Sequence, residues 1–252
     1  RAWPVDGAPG EAAPAAASWE VPAAGNPAFA VPSRQRCPVC GRFTQLQQAL
    51  PICLRCVSPA SQKPADAPRL LCVMQVYNEQ RDLPGCLEHL REHVDGFIVL
   101  DDGSTDDTKR IIRREPALLE LIENPATHPH VWNERENKRR LLEAARRHGA
   151  QWVLVCDADE RFERLFVNGL RTLAQALDSL GFWMLSVSLR ELWDRPDRYR
   201  VDGPWWAKND ARMLKLPHVV AFDRTAQLHG SWVPDVLLAA SRQPRRHAML
   251  YY

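Results

Sequence analysis

Two apolar segments of this chain end abruptly in clusters of carboxylates. The segment 97–100 is followed by DDGST at 101–105, and the segment 152–156 is followed by DADE at 157–160. Open α/β sheets bind their ligands in a crevice at the carboxyl ends of the strands. If the two segments are parallel strands of one sheet, their acidic turns line a single negatively charged crevice. Such a crevice needs a cation, and a divalent cation held there can bind a diphosphate.

Strand and helix patterns alternate from residue 69 to residue 190. Buried strands are predicted at 70–76, 97–100, 119–122, 152–156 and 182–189, and helices after Asp82, after the N-cap Thr105, at 134–147 and at 165–180. Repeated strand–helix–strand units with right-handed crossovers form a parallel sheet with helices packed on it. The sequence therefore predicts an α/β protein with a Rossmann-like, mostly parallel sheet flanked by helices.

Composition limits the class of protein. A chain of 252 residues can hold one large domain and a small module. Its net charge of +2 gives no reason to expect binding to nucleic acid or to anionic lipid. No apolar run approaches the ~18 residues needed to span a bilayer. We therefore expect a soluble body with no nucleic-acid partner and no transmembrane segment.

Four of the seven cysteines form two CxxC pairs, namely Cys37, Cys40, Cys53 and Cys56. Two such pairs separated by twelve residues have the spacing of a zinc ribbon, in which four thiolates bind one structural Zn²⁺. A module of this size has no core of its own, so the metal would supply its folding free energy. Two local disulfides or a redox site are the alternatives. The zinc interpretation also indicates a reducing compartment and a docking role toward a protein partner or the larger domain.

The Asp157-Ala158-Asp159 turn is the only DxD in the chain. Carboxylates at i and i+2 in a tight turn can face one hard cation such as Mg²⁺ or Mn²⁺, which would support the departure of a diphosphate. A solvated acidic turn is the alternative. Asp101 and Asp102 are either turn residues or acceptors for a ribose or base. A phosphatase-type DxDxT nucleophile is excluded because residue 103 is glycine.

Three runs together resemble one enzyme family. VMQVYNEQ at 73–80, VLDDGSTDDT at 99–108 and VLVCDADE at 153–160 are similar in order and spacing to glycosyltransferase family 2, which has the GT-A fold. The resemblance covers residues 69–190 and implies a nucleotide-diphosphate sugar donor bound with Mn²⁺ or Mg²⁺. The residues it implies are Tyr77, Asn78, Glu79, Asp101, Asp102 and Lys138 for the nucleotide, and Asp157 and Asp159 for the metal.

The sequence departs from the family pattern where the catalytic base is expected. Family members often take the base from a downstream Glu-Asp pair, which this chain lacks. An inverting transfer needs one carboxylate to accept the proton of the acceptor hydroxyl. Asp202 is the favoured candidate because its turn would project it into the cleft, and Glu191, Asp194 and Asp210 are the alternatives. His229 resembles the late histidine with which some GT-A enzymes complete the metal shell.

These inferences divide the chain into four predicted parts. Residues 1–33 are a disordered Ala/Pro-rich tail, 34–58 the zinc-ribbon-like module, 59–68 a linker and 69–252 the GT-A domain. Within that domain the nucleotide-binding part is expected at about 69–160 and the acceptor part at about 161–252.

The predicted function is metal-dependent, inverting transfer of a sugar to a glycan, lipid-linked or peptide acceptor. The predicted location is the cytoplasm, including the inner face of the membrane. The alternative is a non-catalytic GT-A-like binding module tethered to a partner by the zinc ribbon, which the missing Glu-Asp pair favours. A nucleotidyltransferase is disfavoured because the loop at 77–81 contains no glycine.

Overall fold

The computed structural model describes residues 35–36, 43–44, 67–179, 181–193, 195–200, 208–216, 232–234 and 247–250. Within these ranges the strands are β1 (Gln35–Arg36), β2 (Phe43–Thr44), β3 (Leu70–Val76), β4 (Phe97–Asp101), β5 (Leu118–Glu123), β6 (Trp152–Val155), β7 (Met184–Ser188), β8 (Leu192–Trp193), β9 (Arg195–Tyr199), β10 (Asn209–Lys215) and β11 (His247–Leu250). The helices are α1 (Leu83–Leu90), α2 (Thr108–Arg113), α3 (Glu134–Arg147) and α4 (Arg164–Ser179). None of these helices is long and apolar enough to cross a membrane.

Seven strands form one sheet in the order β11-β7-β10-β6-β3-β4-β5. Strand β10 pairs antiparallel with both of its neighbours, and the other four pairings are parallel. The predicted α/β fold with a mostly parallel sheet is confirmed. Because β3 lies between β4 and β6, the two acidic turns leave the same edge of the sheet on either side of β3.

Helices cover both faces of the sheet. In β3, Leu70, Cys72 and Met74 pack in one apolar cluster with α1 and α4, whereas Leu71 and Val73 pack in a second cluster with α3. All five side chains are fully buried. A strand that is buried on both faces requires the continuous apolar sequence seen here, as is usual in parallel sheets.

One predicted helix start is wrong. The sequence predicts Thr105 as the N-cap of the helix after β4, but α2 begins at Thr108 with Asp107 at its N-cap. The carboxylate of Asp106 accepts a hydrogen bond from the Thr108 amide at 3.0 Å. The Thr105 amide instead donates to the side-chain oxygen of Asn78 at 2.8 Å. Thr105 therefore joins two loops rather than capping a helix.

Candidate active site

A cleft of about 500 Å³ opens at the carboxyl ends of β3 and β6. Its described lining includes six carboxylates (Glu79, Glu134, Asp157, Asp159, Glu160 and Asp210), three cations (Lys138, Lys208 and Arg212) and three aromatic rings (Tyr77, Trp132 and Trp232). The remaining described lining residues are Gln75, Val76 and Ala158. The excess of negative charge that the two acidic turns predict is present, although only one of the turns supplies it directly.

The turn after β6 projects into this cleft. Strand β6 is fully buried, and the chain leaves the sheet at Asp157, whose side chain is 51% exposed. Asp159 is also exposed, while Ala158 between them is buried. The guanidinium of Arg161 holds the turn by donating to the backbone carbonyls of Ala158 at 2.9 Å and of Asp82 at 2.8 Å. The two carboxylates of the DxD are therefore presented by a fixed turn.

Burial, together with repulsion from neighbouring carboxylates, raises the pKa values of two side chains in the cleft. The pKa of Asp157 is raised to about 6, chiefly by partial removal from water and then by Glu160, with Arg212 acting in the opposite direction. The pKa of Glu79 is raised to about 7, again by partial removal from water and then by Asp159. Burial is the larger cause of both shifts, and repulsion from neighbouring carboxylates adds to it. A bound cation would relieve this repulsion.

Arg212 is a buried cation that the sequence analysis did not select. Its side chain is 3% exposed, and its Nη1 donates to the Asp210 carboxylate at 2.8 Å. Its Nη2 donates to the carboxylate of Glu160 and lies 3.8 Å from that of Asp157. Burial alone would lower the pKa of Arg212, but these carboxylates raise it. The detectable signal in the sequence was a charged residue inside the apolar strand segment 211–214.

The acidic turn can hold a divalent cation only together with other ligands. Within the described residues, no group of three or more His, Cys, Asp or Glu side chains is arranged to hold a metal ion alone. Mg²⁺ is commonly held by one or two carboxylates together with substrate phosphates and water. Asp157 and Asp159 supply two such carboxylates, both exposed to the cleft on one turn. The turn therefore fits a cation whose coordination is completed by a diphosphate.

The loop after β3 is fixed to the loop after β4 by hydrogen bonds. The Asn78 amide donates to Ser104 Oγ at 2.9 Å, and the Glu79 amide donates to Thr108 Oγ1 at 2.8 Å. Asn78 has a φ of 56°, a left-handed conformation that asparagine tolerates better than most residues. Asn78 is therefore a bridge between loops, and the residues on either side of it line the cleft.

Asp101 is a turn residue below the surface. It is fully buried, and its Oδ2 accepts hydrogen bonds from the amides of Gly103 at 3.2 Å and Ser104 at 3.0 Å. Lys109 Nζ lies 3.5 Å from the same oxygen. Gly103 has a φ of 83°, and a Cβ there would lie 2.8 Å from the carbonyl oxygen of Pro125. The turn thus needs both the aspartate and the glycine.

Asp102 is also covered, being 3% exposed. Its oxygens accept hydrogen bonds from Gln75 Nε2 at 3.2 Å and from Asn124 Nδ2 at 2.6 Å. His130 Nε2 lies 3.3 Å from Asp102 Oδ2. The described lining of the cleft includes neither Asp101 nor Asp102. A nucleoside contact by either residue remains a prediction.

Lys138 on α3 faces the cleft. Lys138 is 6% exposed. Its Nζ lies 3.2 Å from Glu134 Oε2 and 5.1 Å from the centroid of the Trp232 ring. Arg139, the next residue, pairs instead with glutamates of its own helix. Of these two adjacent basic residues, Lys138 brings positive charge to the cleft.

The candidates for the catalytic base are separated by their positions. Asp210 lines the cleft and shares its charge with Arg212. Glu191 pairs with Lys208 at 2.9 Å and does not belong to the described lining. Asp194 and Asp202 lie outside the described residues, as do His229 and the predicted zinc ligands Cys37, Cys40, Cys53 and Cys56.

Two curated relatives match about half of this chain. An uncharacterized protein of Mycobacterium tuberculosis is 30% identical over 132 residues, which cover 51% of this chain and 32% of that protein. The SPbeta prophage-derived glycosyltransferase SunS of Bacillus subtilis is 25% identical over 119 residues, which cover 47% of this chain and 26% of SunS. The matched part is thus a third or less of the length of these relatives.

Two solved structures of low sequence identity are similar to this chain. A mycobacterial protein of known crystal structure is 14% identical and has a TM-score of 0.51, covering 84% of this chain and 71% of that one. Glucosyl-3-phosphoglycerate synthase from Mycobacterium tuberculosis, solved with Mn²⁺, UDP-glucose and phosphoglyceric acid, is 16% identical with a TM-score of 0.46, covering 73% and 70% of the two chains.

The family model of glycosyl transferase family 2 matches residues 72–222. This range contains both acidic turns, the loop after β3 and the strand that carries Arg212. The match extends beyond the three runs that suggested the resemblance, and it covers more than half of the sequence. The chain therefore belongs to glycosyltransferase family 2, a family of nucleotide-sugar-dependent enzymes with the GT-A fold.

Proposed function

We propose that this protein transfers a sugar from a nucleoside-diphosphate sugar to an acceptor hydroxyl, with Mn²⁺ or Mg²⁺ bound at the donor diphosphate. The observation that carries the proposal is the convergence of Asp157, Asp159 and the Tyr77–Glu79 loop on one cleft with an excess of carboxylates. Membership in glycosyltransferase family 2 supports the same reaction. The acceptor is proposed to be a glycan, a lipid-linked sugar or a peptide.

The diphosphate side of the cleft is assigned to the turn after β6. Asp157 and Asp159 would hold the cation, which when bound stabilises negative charge on the departing diphosphate. Lys138 lies in the same cleft and adds a second positive charge. Arg212 holds Glu160 and Asp210, so that these two carboxylates oppose an incoming anion less strongly.

The nucleoside side is assigned to Tyr77, Glu79 and Asp102. Asp101 is committed to its own turn through two backbone amides, and its charge is partly balanced by Lys109. Asp102 is therefore the better candidate to accept a hydrogen bond from the base. Tyr77 lines the cleft with an aromatic ring that suits stacking.

We propose inversion by direct displacement. The acceptor oxygen forms a bond to the anomeric carbon as the bond to the diphosphate oxygen breaks, and one carboxylate accepts the hydroxyl proton. Asp202, favoured from the sequence, and Asp210, which lines the cleft, are the two candidates. Replacing the true base by asparagine should lower kcat by about 100-fold or more, with donor affinity unchanged. Comparing D202N with D210N identifies it.

A structural zinc ion in residues 34–58 remains part of the proposal. Strands β1 and β2 pair antiparallel, with Gln35 opposite Thr44, and the first CxxC lies between them in the sequence. This pairing is typical of the hairpin that carries one half of a zinc ribbon. Elemental analysis should find about one zinc ion per chain, lost in C37S but kept in C86S, whose cysteine is buried in the α/β core.

The decisive experiment is calorimetric titration with UDP, GDP and dTDP, with and without Mn²⁺. One nucleotide should bind in a metal-dependent way, and D159N should weaken that binding by about 100-fold. E88Q is the matched control because Glu88 is an exposed carboxylate on α1, away from the described cleft lining. If the folded wild type binds none of these nucleotides, the transferase proposal fails and the alternative of a non-catalytic binding module is favoured.

A further inference from the structure

We propose that the imidazole of His130 holds the place of the donor's nucleobase in the unliganded protein and leaves Asp102 when the donor binds. The inference rests on the proposed function, because it takes Tyr77 and Asp102 as the nucleoside contacts. It adds a residue that the family resemblance did not include, and it assigns that residue a role in controlling access.

His130 contacts both groups that are assigned to the nucleoside. Its ring stacks on Tyr77 with a centroid distance of 4.0 Å and an interplanar angle of 22°. Its Nε2 lies 3.3 Å from Asp102 Oδ2. Trp132 closes the group with its ring edge-on to the imidazole at 4.3 Å. A flat aromatic ring with a polar edge toward a carboxylate is the arrangement in which a base would bind.

A base cannot bind there while the imidazole is in place. Stacked rings at 4.0 Å are already in van der Waals contact, so nothing can enter between them. Asp102 is only 3% exposed and is missing from the described lining of the cleft, whereas Tyr77 belongs to it. Nucleoside recognition by Asp102 therefore requires His130 to move.

Unpaired polar atoms at this corner favour such an exchange. Neither ring nitrogen of His130 makes a hydrogen bond to a described residue, although Nε2 lies 3.3 Å from Asp102 Oδ2 and the side chain is only 12% exposed. Gln75 Oε1 and Asn137 Nδ2 are likewise buried without a described partner. Gln75 donates to Asp102, and Asn137 accepts from Asn124, so both belong to the same hydrogen-bonded group. A base edge offers the donors and acceptors that an imidazole leaves unmatched.

The segment that carries His130 can move without disturbing the sheet. It joins β5 to α3, and residues 124–133 contain neither helix nor strand. Its beginning is anchored, because Asn124 bonds to Asp102 and Pro125 packs against Gly103. Farther along, Val131 is 65% exposed and Trp132 is 38% exposed. His130 is thus the inward-facing residue of an otherwise exposed stretch.

The test compares H130A with H128A, a matched control that removes an exposed imidazole from the same segment. The probes are UDP, GDP and dTDP with Mn²⁺, and inorganic pyrophosphate with Mn²⁺, which has no base. Since the competing ring is absent, H130A should bind the accepted nucleotide about threefold to tenfold more tightly than the wild type. Pyrophosphate binding should be unchanged in both variants, and H128A should match the wild type with every probe.

Weaker or unchanged nucleotide binding by H130A, with a binding-competent wild type, overturns the inference and leaves the proposed function intact. An equal gain for pyrophosphate overturns it too, because the effect would not depend on the base. If no nucleotide binds to any of the three proteins, the proposed function and the inference fail together.

If H130A does not fold, an NMR measurement on the wild type tests the inference instead. The NOE between the His130 and Tyr77 rings should disappear with saturating nucleotide and persist with pyrophosphate, and its persistence in both overturns the inference.

Discussion

The two acidic turns look alike in the sequence and differ in the folded protein. Asp101 and Asp102 are buried, and each accepts two hydrogen bonds from neighbouring groups. Asp157 and Asp159 are exposed to the cleft, and the pKa of Asp157 is raised by its surroundings. In the first turn neighbouring groups hold both carboxylates by hydrogen bonds, whereas the second turn leaves its carboxylates to repel one another.

The difference follows from what packs on each turn. The turn after β4 is covered by the segment 124–133, which supplies Asn124 and His130. The turn after β6 lies beside β10, whose Arg212 pairs with Glu160 and leaves the DxD carboxylates without a full counter-charge. A satisfied carboxylate stabilises the fold, while an uncompensated one is available to a cation. Four substitutions, each compared with a control or with one another, test this contrast.

The largest effect is expected from Arg212→Met. Removing a buried guanidinium leaves Asp210, Glu160 and Asp157 without their cation, and breaking such a buried pair costs about 3–5 kcal/mol of unfolding free energy. Because the deficit is one of positive charge, saturating Mn²⁺ should restore part of the lost stability. Urea unfolding with and without Mn²⁺ measures both quantities.

Arg171→Met is the matched control for that prediction. Arg171 pairs with Asp95 at the opposite edge of the sheet, next to the amino end of β3. Its loss should also destabilise the protein, but Mn²⁺ should not compensate for it. Equal recovery of both variants in Mn²⁺ would show that the metal does not act at the Arg212 cluster.

A smaller loss is expected from Asp101→Ala. Two buried backbone amides lose their acceptor, which costs about 2–3 kcal/mol of unfolding free energy. Asp157→Ala should leave stability at pH 7.5 unchanged or raised, since it removes a repelling charge. Urea midpoints of the two variants compare the turns directly. A loss in Asp157→Ala as large as that in Asp101→Ala would contradict the contrast.

Between residues 69 and 190 the sequence was sufficient for the strands and helices, apart from the start of α2, and for the edge of the sheet that carries the site. The bounds of β3 and α3 agree with the prediction because an uninterrupted apolar run and a helical pattern ending in glycine depend on nearby residues. The position of both acidic turns follows from the parallel order of the strands. These features are local, and local patterns are what a single sequence contains.

The sequence could not separate Asp101 from Asp102, and it missed His130 and Arg212. The environments of these residues depend on contacts between distant segments, such as the antiparallel pairing of β10 with β6. The prediction that Thr105 caps a helix was wrong for the same reason, because its hydrogen-bond partner Asn78 lies on another loop. Side-chain pairing across loops decides which carboxylates are consumed by the fold, and that pairing is set by tertiary structure.

The smallest expected effect is a change of stability with pH that depends on Glu79. Its pKa is raised from 4.5 to about 7 by partial removal from water and by Asp159, Asp82, Asp157 and Asp106. Between these values the folded state holds more protons than the unfolded state, so stability present below pH 4.5 is lost as pH rises through about 7. Asp157, with a pKa of about 6, contributes in the same direction.

Glu79→Gln should therefore raise the unfolding temperature at pH 8 and leave it unchanged at pH 4.5. After a discount for the partial exposure of the side chain, the gain at pH 8 is about 1 kcal/mol, or about 2–4 °C. E88Q, which removes an exposed carboxylate on α1, should keep the pH dependence of the wild type. Thermal unfolding at several pH values between these limits gives the slope for each protein. If the pH dependence of the unfolding temperature is the same in Glu79→Gln as in the wild type, repulsion between carboxylates is confined to the turn after β6. A reduced slope would extend the uncompensated region to the loop after β3, on the side of the cleft where the fold otherwise satisfies its carboxylates.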